Sequence, residues 1–108
     1  MFYYTVRCRF AASTNESVIE SWLEWLRQGH IQDVIDGGAT GASIVEMETE
    51  EPESVYEIRY QFPERATFAN YETETAPGLR EEGLQKFPLE LGLSYERTIG
   101  QELDTFGR

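Results

Sequence analysis

The chain has 108 residues, 40% of them hydrophobic and 13% aromatic, which suits one folded domain over 1–108 and is too apolar for a disordered chain. Twenty Asp and Glu against nine Lys and Arg give a formal net charge of -11; such a surface repels phosphate backbones and anionic lipid and argues against nucleic-acid and membrane partners. A chain of this length leaves much of its surface uncovered, so association with a second copy is favoured.

Residues 2–10 (FYYTVRCRF) alternate. Phe2, Tyr4, Val6, Cys8 and Phe10 point one way and Tyr3, Thr5, Arg7 and Arg9 the other, which predicts a half-buried strand. Ser13-Thr14-Asn15-Glu16 has a hydroxyl followed three residues later by a carboxylate, the pattern of a capping box. The helix that follows carries Val18, Ile19, Trp22, Leu23 and Leu26 at helical spacing, with Gly29 as its stop. Ile31, Val34 and Ile35 predict a short further helical piece ended by Gly37-Gly38. Two strands are expected at 40–48 and 54–62, around the acidic tip ETEEPE. The second alternates well, with Tyr56, Ile58, Tyr60 and Phe62 against Glu57, Arg59 and Gln61, whereas Ile44, Val45 and Met47 fall on mixed faces of the first. A helical stretch over 64–86 has Phe68, Tyr71, Leu79 and Leu84, with Phe87 just beyond, as its stripe and a break at Pro77-Gly78. A last strand is expected at 89–99, with Leu89, Leu91, Leu93 and Tyr95 on one face. The remaining tail is polar apart from Leu103 and Phe106.

The order β-α-β-β-α-β predicts an α+β, ferredoxin-like fold: a four-stranded antiparallel sheet in the order 4-1-3-2 with both helices on one face. Arg7 and Arg9 on the first strand would then face Glu57, Glu90 and Glu96 on its neighbours, each cross-strand pair contributing a few tenths of a kcal/mol, roughly. The sheet's other face would be bare, open either to water or to the sheet of a second copy. Its aromatics favour a homodimer in which two sheets form a barrel.

Two motifs carry a resemblance. WLEWLRQGHIQDVI (22–35) and APGLREEGLQKF (76–87), together with the opening strand, resemble in order and spacing the bacterial DUF4286 family, a domain of unknown function, over nearly the whole chain. The resemblance implies a dimeric α+β barrel, a superfamily whose members include cofactor-independent oxygenases, isomerases, haem-degrading proteins and proteins with no known activity. Gln32 stands where the family pattern has proline, a departure expected to loosen the turn after His30.

Candidate chemistry centres on His30, the only histidine. At the end of a helix the carbonyl dipole would favour its imidazolium, and Asp33 is placed to accept its ring N–H. It would then either cap helix carbonyls or serve as a base beside a pocket between helices and sheet. Trp22 shares the apolar stripe and Trp25 lies at its edge, about 60° away on the wheel. Trp25 would line the pocket or touch a partner, or both indoles would simply pack. Tyr60 would fill the same cavity from the sheet. Arg80 would either hold an anionic ligand at the pocket mouth or pair with a surface carboxylate. Tyr3, Arg7, Arg9 and Arg59 would form an anion site between two sheets, or an ion-pair ladder.

Other chemistries find no support. One cysteine and one histidine cannot make a zinc site of the usual kind, and Cys8 shares its face with apolar residues. GGATGAS (37–43) lacks the lysine of a phosphate loop, the acidic tip lacks the spacing of a calcium loop, and no Ser-His-Asp set stands out. Barrels of the kind the resemblance implies would bind haem through a histidine of the second helix, and that helix has none here. No cofactor or metal is therefore expected. The lack of a secretory leader and the single cysteine point to a cytoplasmic protein. The leading expectation is a homodimeric small-molecule-binding or interaction module. The alternative is a cofactor-independent isomerase or oxygenase with His30 as its base.

Overall fold

The computed structural model describes residues 1–108. Strand β1 (Phe2–Phe10) is followed by helix α1 (Glu16–Trp25), a wide π turn (Leu26–His30) and helix α2 (Ile31–Asp36). Strands β2 (Gly41–Met47) and β3 (Ser54–Phe62) form a hairpin. Helices α3 (Arg65–Glu74) and α4 (Ala76–Lys86), a 3-10 turn (Leu89–Leu91) and strand β4 (Leu93–Gln101) complete the chain. The sheet has the order β2-β3-β1-β4, the predicted order read from its other edge, and every neighbouring pair is antiparallel. The fold is ferredoxin-like.

Alternation in β1 and β3 decides which side of the sheet is dry. Phe2, Tyr4, Cys8 and Phe10 join Ile58, Tyr60 and Phe62 in one core with Trp22, Leu26 and Val34 from the first helical rod and Phe68, Tyr71 and Ala76 from the second. Both rods therefore cover one face. The opposite face carries Tyr3, Thr5, Arg7 and Arg9 next to Gln61, Arg59, Glu57 and Val55. Ile44 lies opposite Ile58 and so turns toward the helices, while Val45 and Met47 belong to the bare face. This explains the mixed pattern of that edge strand.

Several local expectations are corrected. The N-cap of α1 is Asn15, whose side chain accepts from the Ser17 amide at 2.9 Å; Ser13 lies outside the helix, and Thr14 donates instead to the Leu91 carbonyl at 3.1 Å. Gly29 does not stop the helix. The chain continues through the π turn into α2, with the Ile31 amide donating to the Leu26 carbonyl five residues back. There is accordingly no turn after His30 for Gln32 to loosen; Gln32 lies in α2 and donates to Asp36 at 2.9 Å.

The second rod breaks at Thr75, ahead of the proline. Pro77 sits in the first turn of α4, where no backbone N–H is required and its fixed φ suits a helix start. The last strand begins later than its leucines indicate. Pro88 and the left-handed Gly92 (φ 106°) bracket a 3-10 turn, so Leu89 and Leu91 are exposed rather than on a strand face. Leu84, expected in the stripe, is also exposed. Glu90 falls in the same turn and is not a cross-strand partner. Glu96 lies opposite Arg7 in register, but Arg7 pairs with Glu57 at 2.6 Å. No helix is long and apolar enough to cross a membrane.

Candidate functional site

A cavity of about 320 Å³ opens between the helical rods and the sheet. Trp22, Trp25, Leu26 and His30 line it from the first rod, and Tyr71, Leu79, Arg80 and Gly83 from the second. Tyr4, Val6, Ile58, Tyr60, Tyr95 and Arg97 form its floor. His30, Trp22, Trp25, Tyr60 and Arg80, all singled out in the sequence, thus lie on one cavity although they come from three separate segments.

The elements explain how each side chain arrives. Trp22 is fully buried and donates its indole N–H to the Tyr95 hydroxyl at 3.2 Å, which ties α1 to β4. Trp25 comes next on the wheel and is half-buried. Its ring stacks on His30, centroids 4.2 Å apart and planes 25° apart, and also meets Phe87 at 5.6 Å. The contact with His30 is a product of the π turn, which widens the helix so that residues five apart meet. α4 can approach the indole because position 83 is glycine; a Cβ there would lie 3.1 Å from the ring.

His30 is not at a helix end, so the dipole expected to favour its imidazolium is absent. Burial instead lowers its pKa, opposed by the through-space fields of Asp33 and Glu82. Asp33 acts without a hydrogen bond to the ring. The shift favours the neutral imidazole, the form that can accept a proton.

The polar end of the cavity belongs to Arg80 and Arg97. Arg80 donates from Nη2 to the Tyr4 hydroxyl at 3.3 Å, and its buried Nε has no partner. Arg97 lies over the Tyr95 ring, 5.3 Å from its centroid. Burial raises the pKa of both Tyr71 and Tyr95 to about 12 and raises that of Tyr60 still further. These phenols stay protonated and serve as hydrogen-bonding groups rather than charges. Cys8 is buried, its thiol raised to about 12 by burial, which makes it a core residue and not a nucleophile at neutral pH. No three His, Cys, Asp or Glu side chains gather closely enough to hold a metal ion.

Tyr4, Tyr71, Tyr95 and Arg97 were missed as site residues. The signal for Arg97 was present in the sequence: it is two residues beyond Tyr95 and so on the same face of β4, a cation on an otherwise apolar side. On the bare face, Arg7, Arg9 and Arg59 are taken up by ion pairs, Arg7 and Arg59 with Glu57 and Arg9 with Glu53.

The family model for a domain of unknown function, DUF4286, matches residues 1–97. No curated protein matches the sequence. Solved structures share the fold at low identity. A dimeric ferredoxin-like protein from an uncultured marine organism has a TM-score of 0.68 at 14% identity, covering 97% of each chain. HapK from Hahella chejuensis has a TM-score of 0.65 at 16% identity, covering 100% of this chain and 98% of its own. A variant of SnoaB, a cofactor-independent oxygenase from Streptomyces nogalater, has a TM-score of 0.62 at 13% identity, covering 98% of each chain.

Proposed function

The chain belongs to the DUF4286 family, and on that premise we propose that it is a homodimeric α+β barrel that binds a small molecule between its helices and its sheet. The observation that carries the binding reading is the cavity itself, walled by aromatic and aliphatic side chains and bearing at one end a buried guanidinium N–H without a partner. Apolar walls with a few convergent polar groups are the usual make-up of small-molecule sites.

Three features support the dimer. A neighbour in fold, the ferredoxin-like protein from a marine organism, is itself dimeric. The bare sheet face holds Arg7, Arg9 and Arg59 against Glu57 and Glu96, close to neutral on a chain of charge -11, so two such faces meet without the repulsion that the rest of the surface would impose. The tail projects Leu103 and Phe106, 88% and 91% exposed, and the radius of gyration is 14.5 Å against about 13 Å for a compact chain of this length.

Light scattering is expected to give twice the chain mass at micromolar concentration, and a thermal-shift screen of small aromatic compounds to find stabilisers whose effect shrinks in His30→Ala. A monomer would overturn the barrel. A screen in which nothing raises the wild-type melting temperature would overturn the binding site.

A second reading makes His30 the base of a cofactor-independent enzyme. It is supported by the lowered pKa of the imidazole at the cavity wall and by the existence of a cofactor-independent oxygenase on the same fold, although fold alone does not carry activity. Turnover lost in His30→Gln with ligand affinity retained would establish it.

A further inference from the structure

We infer that the cavity's ligand is a small aromatic carboxylate, its acid group held by Arg80 and Arg97 and its ring lying among Trp25, Tyr60 and Leu79; this rests on the cavity being a binding site.

Acidic residues outnumber basic ones twenty to nine. Arg7, Arg9, Arg59 and Lys86 sit in ion pairs with them. Arg80 and Arg97, the only Lys or Arg side chains on the cavity, do not, and they face an apolar, partly enclosed space rather than open water. No Asp or Glu lines the cavity at all. A site that gathers two guanidiniums and excludes every one of twenty carboxylates is built for an anion that arrives from outside.

Geometry points the same way. Arg80 offers its buried Nε, with its Nη2 engaged only by a long bond of 3.3 Å to Tyr4. A buried donor left without an acceptor is unfavourable until something supplies one. Arg80 and Arg97 line the same cavity, and both lie within electrostatic reach of the Tyr71 phenol. The planar fork of arginine matches a carboxylate. The remaining walls are rings and aliphatic groups, and a volume of about 320 Å³ is at the small end for ligand sites, suited to one or two fused rings.

Isothermal titration of the full-length protein with 2-naphthoate, 2-naphthamide and 2-naphthyl phosphate tests this. The carboxylate is expected to bind at least about tenfold more tightly than the amide, with that preference lost in Arg80→Gln and in Arg97→Gln while the amide's affinity is unchanged. Arg97 is exposed, so its substitution keeps the test decisive if Arg80→Gln does not fold. Equal binding of carboxylate and amide would overturn the anion assignment and leave the cavity as a binding site. Tighter binding of the phosphate would replace the carboxylate. Binding of none of the three would overturn both this inference and the binding site beneath it.

Discussion

Glu57 shows how single residues divide the labour between the two faces. It is 7% exposed and accepts from Arg7 at 2.6 Å and from Arg59 at 2.9 Å. The Arg7 hydrogen bonds, with those of Arg59, lower its pKa against the opposing effect of burial. A carboxylate whose folded pKa is depressed contributes stability that is fully present above its unfolded value and is lost as pH falls through the folded one. Glu57→Gln is therefore expected to destabilise the protein by about 1–3 kcal/mol at pH 7. The gap between wild type and variant should close on acidification below the ordinary glutamate range, because protonated Glu57 is then equivalent to glutamine. Urea melts at several pH values check this; a gap independent of pH would mean that the ion pair contributes nothing. On the helix side Arg80 and Arg97 line a cavity to which no Asp or Glu contributes.

At the scale of elements the π turn is the feature with most consequence. Between Leu26 and Ile31 the helix takes one residue more than a regular turn holds, so the stripe of α1 and the stripe of α2 both face the sheet. Gly29 falls on the outside of this turn, and a Cβ added there meets nothing within 4 Å. Gly29→Ala is expected to stabilise by about 0.5–1 kcal/mol, since alanine loses less conformational freedom in a helix. Nine residues on, Gly38→Ala should do the opposite and cost more than about 1 kcal/mol, because φ there is 133° and a Cβ would lie 2.9 Å from the Thr67 methyl. Thermal melts of the two variants should move in opposite directions. A destabilised Gly29→Ala would show that the wide turn itself depends on glycine.

For the whole molecule, charge and shape bear on assembly together. Each copy carries a formal charge of -11, so two copies repel at long range even where their bare faces are nearly neutral, and added salt screens that repulsion. The proposed dimer should accordingly weaken several-fold as ionic strength falls from about 150 to about 15 mM, measured by sedimentation at low concentration. The reverse trend would show that ion pairs formed between copies dominate.

The sequence by itself determined the elements whose period is unambiguous and, through their order, the sheet topology. Alternation in β1 and β3 and the stripe of α1 leave each segment only one way to bury its apolar side. The points where it misled were those where a local pattern meets a competing neighbour: the leucines at 89 and 91 alternate like a strand, but Pro88 and Gly92 turn the chain, and Gly29 reads as a stop although the wide turn carries the helix past it. The candidate site was legible in part. His30, Trp22, Trp25, Tyr60 and Arg80 were identifiable one at a time, whereas the protonation preference of His30 and the presence of Arg97 on the same cavity as Arg80 were not. Burial and the meeting of side chains far apart in the chain exist only once the rods lie on the sheet, so the lowered pKa of His30 and a cavity lined by two guanidiniums and no carboxylate are properties of the tertiary structure alone.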